Sequence, residues 1–225
     1  MGFLKGILLL SCAGLVFGAE PQSKAPATMM KIVVRLTGPG IQPGSFSSLP
    51  KTIYSAAPHF ARIEDPPDAR QKIQKLTIIA EPDAYSVNLI DRKGTHAVDQ
   101  GRAGDLHLPV ILPFDPKHRL GNLDRLEFGS EVEFFEDAGA KKVAGPIINS
   151  KPTDAYELKF AGATATLVVK PDTKTPIKLS WQTPEGLYTY EYISYTEVPF
   201  DRTKFSKPTG IAFREIPSDT AGERG

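Results

Sequence analysis

The sequence predicts a mainly β (α+β) fold, with an antiparallel sheet of about eight or more strands and one main helix. The 225 residues include 19 glycines and 20 prolines, and this wealth of turn formers favours many short strands over a helical bundle. Apolar residues make up 40% of the chain and charged residues 24%, so a sizeable core can form and wholesale disorder is excluded. Runs that alternate apolar and polar residues lie between turn signals, which is the pattern of an antiparallel meander.

The first half of the chain carries six alternating runs. In the first of them Ile32, Val34 and Leu36 share one face, and Gly38-Pro39-Gly40 ends the run. Glu81-Pro82-Asp83 has the length of a hairpin turn between two later runs. The strands predicted in this half are 29–36, 52–56, 60–63, 75–80, 85–91 and 94–99.

The middle of the chain predicts the main helix over residues 122–138. Asn122 is a good N-cap, apolar residues follow it, and Gly139 is suited to the position after a helix end. The alternation Glu131-Val132-Glu133-Phe134 leaves a strand open as the competing interpretation, since Gly129 is unfavourable inside a helix.

The last third predicts a regular ladder of strands, spaced by roughly 11–14 residues. Tyr188, Tyr190 and Tyr192 share one face of its last strand. They suit either cross-strand packing or the amphipathic wall of a ligand groove. Phe200 and Phe205 lie in a closing segment. The predicted strands are 155–160, 163–170, 176–182 and 187–195.

The N-terminus has the order of features of a secretory signal peptide. A charge at Lys5 precedes the apolar run 6–17, and small residues follow it at Gly18 and Ala19. The run is shorter than the roughly 20 residues that a membrane span needs. We therefore expect a periplasmic or secreted protein whose mature chain begins at Ala19 or Glu20. Lipoprotein processing at Cys12, which would anchor the chain in the outer membrane, is the alternative.

The chain is expected to be organised around a single domain. Residues 1–19 form the signal peptide, 20–28 a flexible leader, 29–216 the domain and 217–225 a disordered tail. Because Cys12 is the only cysteine, the mature chain would have no disulfide, no thiolate metal ligand and no cysteine nucleophile. A net charge of +1 offers no broad electrostatic footprint for nucleic acid, and no other segment is apolar enough to span a membrane.

The sequence predicts no catalytic residue, no metal site and no cofactor. The four histidines show no local metal-ligand spacing and are expected in loops or on the surface; they are His59, His96, His107 and His118. His96 stands out mildly because a hydroxyl residue, Thr95, lies beside it at a hairpin end. The carboxylate pairs at 131/133 and 136/137 are expected to lie on a solvated face.

Several segments together resemble proteins with the outer-membrane lipoprotein-carrier fold (LolA/LolB-like). The segments that carry the resemblance are 78–82, 85–89, 94–99, 156–160, 165–169, 176–181, 190–195 and the ending Val198-Pro-Phe-Asp201 with Phe205-Ser-Lys-Pro-Thr-Gly210. The resemblance covers roughly residues 30–213 and is to a divergent branch of that superfamily. It implies a strongly curved antiparallel half-barrel whose concave face is covered by one main helix and loops, with an apolar cavity for acyl chains.

The leading functional hypothesis is a non-catalytic binding protein of the periplasm or cell envelope. Its partner would be a hydrophobic, acylated or lipid ligand or a lipoprotein, with other envelope proteins as further partners. The candidate cavity residues are Ile32, Val34, Val87, Leu158, Phe160, Leu179, Trp181 and Tyr190. A one-residue error in strand phase would invert this set.

Two alternatives come from other classes of protein. One is a secreted hydrolase that uses His96 and carboxylates on loops. The other is a structural envelope module that binds another protein along a sheet edge. An apolar tunnel would favour lipid binding, converging polar groups would favour the enzyme, and a fully packed core would favour the module.

Overall fold

The computed structural model describes residues 25–99, 125–160 and 163–216. They form one curved 12-stranded sheet that does not close on itself. The strands are β1 Thr28–Thr37, β2 Lys51–Ala56, β3 Phe60–Glu64, β4 Lys75–Ala80, β5 Asp83–Asn88, β6 Lys93–Val98, β7 Lys141–Ala144, β8 Asp154–Phe160, β9 Ala163–Val169, β10 Pro176–Thr183, β11 Gly186–Pro199 and β12 Ala212–Ile216. Along the sheet they follow the order β12-β6-β5-β4-β3-β2-β1-β11-β10-β9-β8-β7.

The predicted fold class is confirmed, since the described sheet is antiparallel apart from one pair. In that pair β12 runs parallel to its neighbour β6. Each of the ten strands predicted from alternation is present. The sequence did not predict β7 and β12, which are the two edge strands.

The helix is shorter than the predicted range 122–138. Within the described residues, α1 covers Glu131–Asp137. Gly129 has φ +100°, a left-handed conformation that an α-helix cannot contain, so the chain is still turning two residues before the helix starts. The strand interpretation of residues 131–134 is wrong. Gly139, with φ +72°, follows the helix as predicted, while residues 122–124 lie outside the described residues.

Two hydrophobic cores lie on opposite faces of the sheet, one towards each end. Ile53 and its neighbour Tyr54 point to opposite faces of β2, and each belongs to a different hydrophobic core. The first core lies on the face covered by α1, where Phe135 is fully buried against β1 and β8–β11. The second core lies on the other face of β2–β6 and includes Phe205 from the closing segment.

The closing segment is held in place by several polar and aromatic contacts. Its short 3-10 turn, Arg202–Phe205, is capped by Asp201, whose carboxylate accepts from the Thr203 amide at 3.0 Å. The Phe200 and Phe205 rings stack with their centres 5.5 Å apart, and both lie against Phe60. This confirms the predicted closing role of the two phenylalanines. In the described ranges, no helix is long and apolar enough to cross a membrane.

Candidate functional site

A gap opens in the sheet along the second half of β11. β11 pairs with β1 from Thr189 to Pro199, but its pairing with β10 ends at Glu191. Among the described strands, none pairs with the other edge of β11 from Tyr192 onward. Within the described part of the chain, the main-chain edge of β11 is therefore open at this point inside a wide sheet.

A β-bulge at Ile193 lies in this open stretch. Val33 of β1 pairs with Ser194, whereas the next residue, Val34, pairs with Tyr192. Ile193 therefore has no paired residue on β1. The extra residue shifts the alternation by one position. Tyr195 consequently joins Tyr192 on the face of the first core, although their odd spacing would otherwise place them on opposite faces.

The two tyrosines hold a buried carboxyl group at the start of α1. Glu131 is 0% exposed. Its Oε1 accepts from the Tyr192 hydroxyl at 2.9 Å, and its Oε2 accepts from the Tyr195 hydroxyl at 3.0 Å and the Gly129 amide at 3.0 Å. Glu131 therefore fixes the first turn of α1 to β11. The expectation of a solvated acidic face is confirmed for Glu133, Glu136 and Asp137, which are exposed, but is wrong for Glu131.

Burial shifts the titration of this cluster. It raises the pKa of Glu131 to about 7, and the hydrogen bonds it accepts limit that rise. Burial and the Glu131 carboxyl both raise the pKa values of Tyr192 and Tyr195, so these phenols remain neutral donors. Because Glu131 is sealed, its carboxyl group can take up or release a proton but cannot touch a ligand.

A cavity of about 510 Å³ occupies the gap beside β11. Tyr192, Ile193 and Tyr195 form one wall, and the other walls come from the β7–β8 loop and the β9–β10 turn. The lining combines Ile148, Ile177 and several prolines with the charged residues Lys151, Lys170 and Asp172. Small-molecule pockets span roughly 300–1,000 Å³ and are mainly apolar with a few polar groups. The cavity therefore suits an amphipathic ligand.

Most of the predicted cavity residues lie together in the first core. Ile32, Val34, Leu179, Trp181 and Tyr190 are each at most 2% exposed there. Partly buried Leu158 packs against them. Their side chains are packed, and the Trp181 ring stacks on Tyr188 with centres 5.7 Å apart.

Two predicted cavity residues are not among the six that lie in or against the first core. Val87 lies in the second core, on the opposite face of the sheet, because it pairs in register with Leu76 and so points away from the face of Ile53. Phe160 ends β8, and its side chain lies outside the described residues.

The tyrosine stripe divides between packing and the cavity. Tyr188 and Tyr190 contact Trp181 in the first core, which supports the packing interpretation for them. Tyr192 lines the cavity and also binds Glu131. The bulge, which period-2 counting cannot reveal, brings Tyr195 and Ile193 into the same site.

The described histidines are tied to carboxylates. His59 Nδ1 lies 2.6 Å from Glu81, and His96 lies 2.7 Å from Asp83 through Nε2 and 2.6 Å from Glu215 through Nδ1. His96 is a strand residue stacked on Tyr85 rather than a loop residue. Within the parts of the chain that the structure describes, no three potential ligands from His, Cys, Asp or Glu converge on a metal position. His107 and His118 lie outside those parts.

Comparison with known proteins gives a likeness in fold only. No family model matches the chain, and no curated protein matches its sequence. An uncharacterised conserved protein from Thermus thermophilus has a similar structure, with a TM-score of 0.50, 8% identity, and coverage of 84% of this chain and 91% of that one.

Two further solved structures are less similar. The MucA/MucB complex of Pseudomonas aeruginosa gives a TM-score of 0.41 at 10% identity and covers 80% of this chain and 56% of that one. PNGF-II gives a TM-score of 0.41 at 10% identity, and the match covers 87% of this chain but only 33% of PNGF-II.

Proposed function

We propose that this chain is a non-catalytic binding protein of the cell envelope whose ligand is a hydrophobic molecule with an anionic head, such as an acylated compound or a lipid. The observation that carries this proposal is the cavity of about 510 Å³ in the gap beside β11. The predicted signal peptide supports the location. The wide, open and curved sheet supports a fold of the lipoprotein-carrier type.

The lining offers apolar residues for an acyl chain and charged residues for its head group. Ile148, Ile177 and Ile193 offer apolar contact, and Ile193 is 55% exposed although it is a large aliphatic residue. Each buried methylene contributes about 0.8 kcal/mol, so six would contribute roughly 5 kcal/mol before ordering costs. Lys151 and Lys170 form no ion pair with any residue of the described part of the chain, which leaves their charges for the head group.

The arrangement of titratable groups supports binding rather than catalysis. Both ring nitrogens of His96 are engaged by carboxylates, so neither is free to act on a substrate. Glu131, the carboxyl with the raised pKa, is sealed from the cavity by burial. In the proposed arrangement Leu179, Trp181 and the other packed candidates form the rigid core behind the cavity.

Replacing Ile193 with aspartate should weaken the binding of a fluorescent fatty-acid probe by about tenfold or more. The new carboxylate removes apolar contact and repels the anionic head. Because Ile193 is exposed, the variant should fold, and unchanged emission from buried Trp181 would verify this.

Leu187→Asp is the matched control, since Leu187 lies on the same strand, is 53% exposed and does not line the cavity. Equal loss in both variants, or no loss in Ile193→Asp, would contradict the assignment of the ligand to this cavity. Native mass spectrometry of protein purified from an envelope fraction would identify the retained molecule. Wild-type protein that binds no fatty-acid probe and retains no lipid would refute the function.

The open edge of β11 favours a second candidate, a module that binds an extended segment of another envelope protein. Such a segment would add as a strand along Tyr192–Pro199 and place one side chain in the cavity. Hydrogen exchange separates the two candidates. A peptide strand would protect those amides of residues 192–198 that point away from β1, whereas a fatty acid in the cavity would leave them exchanging.

A further inference from the structure

A second cavity lies on the other face of the sheet, between the β4–β5 turn and the closing segment. It has a volume of about 410 Å³ and shares no lining residue with the cavity beside β11. Phe60, Tyr85 and Phe205 form an aromatic floor that belongs to the second core, and Arg202 and Lys207 stand at the rim. The proposed function does not use this cavity.

The two rim cations lie over aromatic rings rather than beside acids. The Arg202 guanidinium is 5.8 Å from the Phe60 ring centre, and the Lys207 ammonium is 4.9 Å from that of Phe213. Neither side chain forms an ion pair with any residue in the three described ranges. The cations therefore keep their capacity to bind an anion.

The acids that line the cavity are already engaged. Glu81 binds His59 at 2.6 Å, and Asp83 binds His96 at 2.7 Å. Glu81 lies in the β4–β5 turn and Asp83 is the first residue of β5, opposite the closing segment that carries the cations. An anion entering between Arg202 and Lys207 thus meets two cations without acid partners and two carboxylates that histidines already contact.

Several contacts hold the backbone of the closing segment that carries these cations. Phe205, which lies between them in sequence, is 3% exposed. The Arg62 guanidinium donates to the Lys204 carbonyl at 2.7 Å, and Asp201 accepts from both the amide and the hydroxyl of Thr203. Because the backbone is anchored at three successive points, it loses little conformational entropy when a ligand binds, and the ordering cost falls on the two exposed cationic side chains.

We propose that this second cavity binds a phosphate ester. The planar guanidinium of Arg202 suits two phosphate oxygens at once, and the ammonium of Lys207 supplies a second positive charge. The aromatic floor receives the apolar remainder of the ester. Such a group can come from a soluble phosphorylated compound or from the head of an anionic phospholipid, and the same cations would recognise either.

The test titrates the full mature chain with three probes: inorganic phosphate, glycerol 3-phosphate and vesicles of phosphatidylglycerol. Arg202→Gln and Lys207→Gln should each weaken the binding of the responding probe by about tenfold or more. Lys204→Gln is the matched control, because Lys204 belongs to the same turn and lies over the Tyr54 ring at 4.8 Å but does not line the cavity. This control removes the same charge and should leave affinity unchanged.

The binding of the three probes to the wild type and the variants tests the site and identifies the source of the phosphate group. Binding of glycerol 3-phosphate assigns a soluble ester, and binding of vesicles alone assigns a lipid head group. Binding of inorganic phosphate alone contradicts the recognition of an ester. A wild-type chain that binds none of the three probes overturns the proposal. Loss of less than about fivefold in either Arg202→Gln or Lys207→Gln, or equal loss in Lys204→Gln, also overturns it, because binding would then reflect general surface charge. Unchanged Trp181 emission verifies that each variant is folded.

Discussion

Replacing Phe135 with alanine is expected to lower the free energy of unfolding by about 3–5 kcal/mol. Phe135 is the fully buried aromatic residue of α1, at 0% exposed, and it packs into the first core. The substitution removes apolar contact and leaves a cavity that its rigid neighbours fill only in part. Since domains of this kind are stable by about 5–15 kcal/mol, the loss is a large fraction of the total. Denaturant unfolding measures it directly.

The neighbouring phenylalanine provides the control. Phe134 is only partly buried, although its ring centre lies 5.9 Å from that of Phe135. Phe134→Ala should therefore cost clearly less than Phe135→Ala. Equal destabilisation by the two variants would mean that α1 is not docked through Phe135. A helix of 7 residues is marginal in isolation, so its stability depends on this docking.

The alternation of apolar and polar residues was sufficient to predict the central strands but not the edges of the sheet. Runs such as Ile32, Val34 and Leu36 are half-buried, and burial of one face creates the period of two. β7 at Lys141–Ala144 and β12 at Ala212–Ile216 lie at the sheet edges, where neither face is well buried. Edge strands tolerate charge on both faces, so their sequences carry little periodic signal.

Period-2 counting also could not assign residues to one of two cores. The pattern places Val87 on a definite face of β5, but it does not tell which face of that part of the sheet is covered. The closing segment covers β2–β6 on the face opposite to α1. Val87 is consequently buried as the alternation predicts, yet away from Ile32 and Leu179. The cover, rather than the strand pattern, decides which apolar residues can share a site.

Two local features explain why the sequence pattern did not predict the candidate site. The bulge at Ile193 breaks the alternation, so strand periodicity could not show that Tyr192 and Tyr195 point the same way. Glu131 lies in an acidic run whose other members are solvated, and only its tertiary partners distinguish it. The odd spacing of two tyrosines in one strand was the single available signal, because a buried phenol requires a hydrogen-bond partner.

The buried carboxyl of Glu131 is expected to make the free energy of unfolding fall by about 3 kcal/mol as the pH rises from 4.5 to 7. The pKa of this carboxyl is near 4.5 in an unfolded chain and is raised to about 7 in the folded protein. Between these values the folded state holds a proton that the unfolded state has released. Stability from this group is therefore fully present below pH 4.5, declines as the pH rises, and levels off above about pH 7.

Glu131→Gln should remove this dependence, because a neutral amide fills the same space and can still hydrogen-bond to Tyr192 and Tyr195. Other carboxylates titrate in the same range, so the quantity to measure is the difference in unfolding free energy between wild type and variant at several pH values from about 4 to 8. That difference should shift by about 3 kcal/mol in favour of Glu131→Gln as the pH rises. Glu133→Gln, on the exposed side of α1, should follow the wild type throughout. A difference between wild type and Glu131→Gln that stays constant with pH would show that Glu131 is solvated in the folded protein, and that α1 is not tied to β11 through a buried carboxyl.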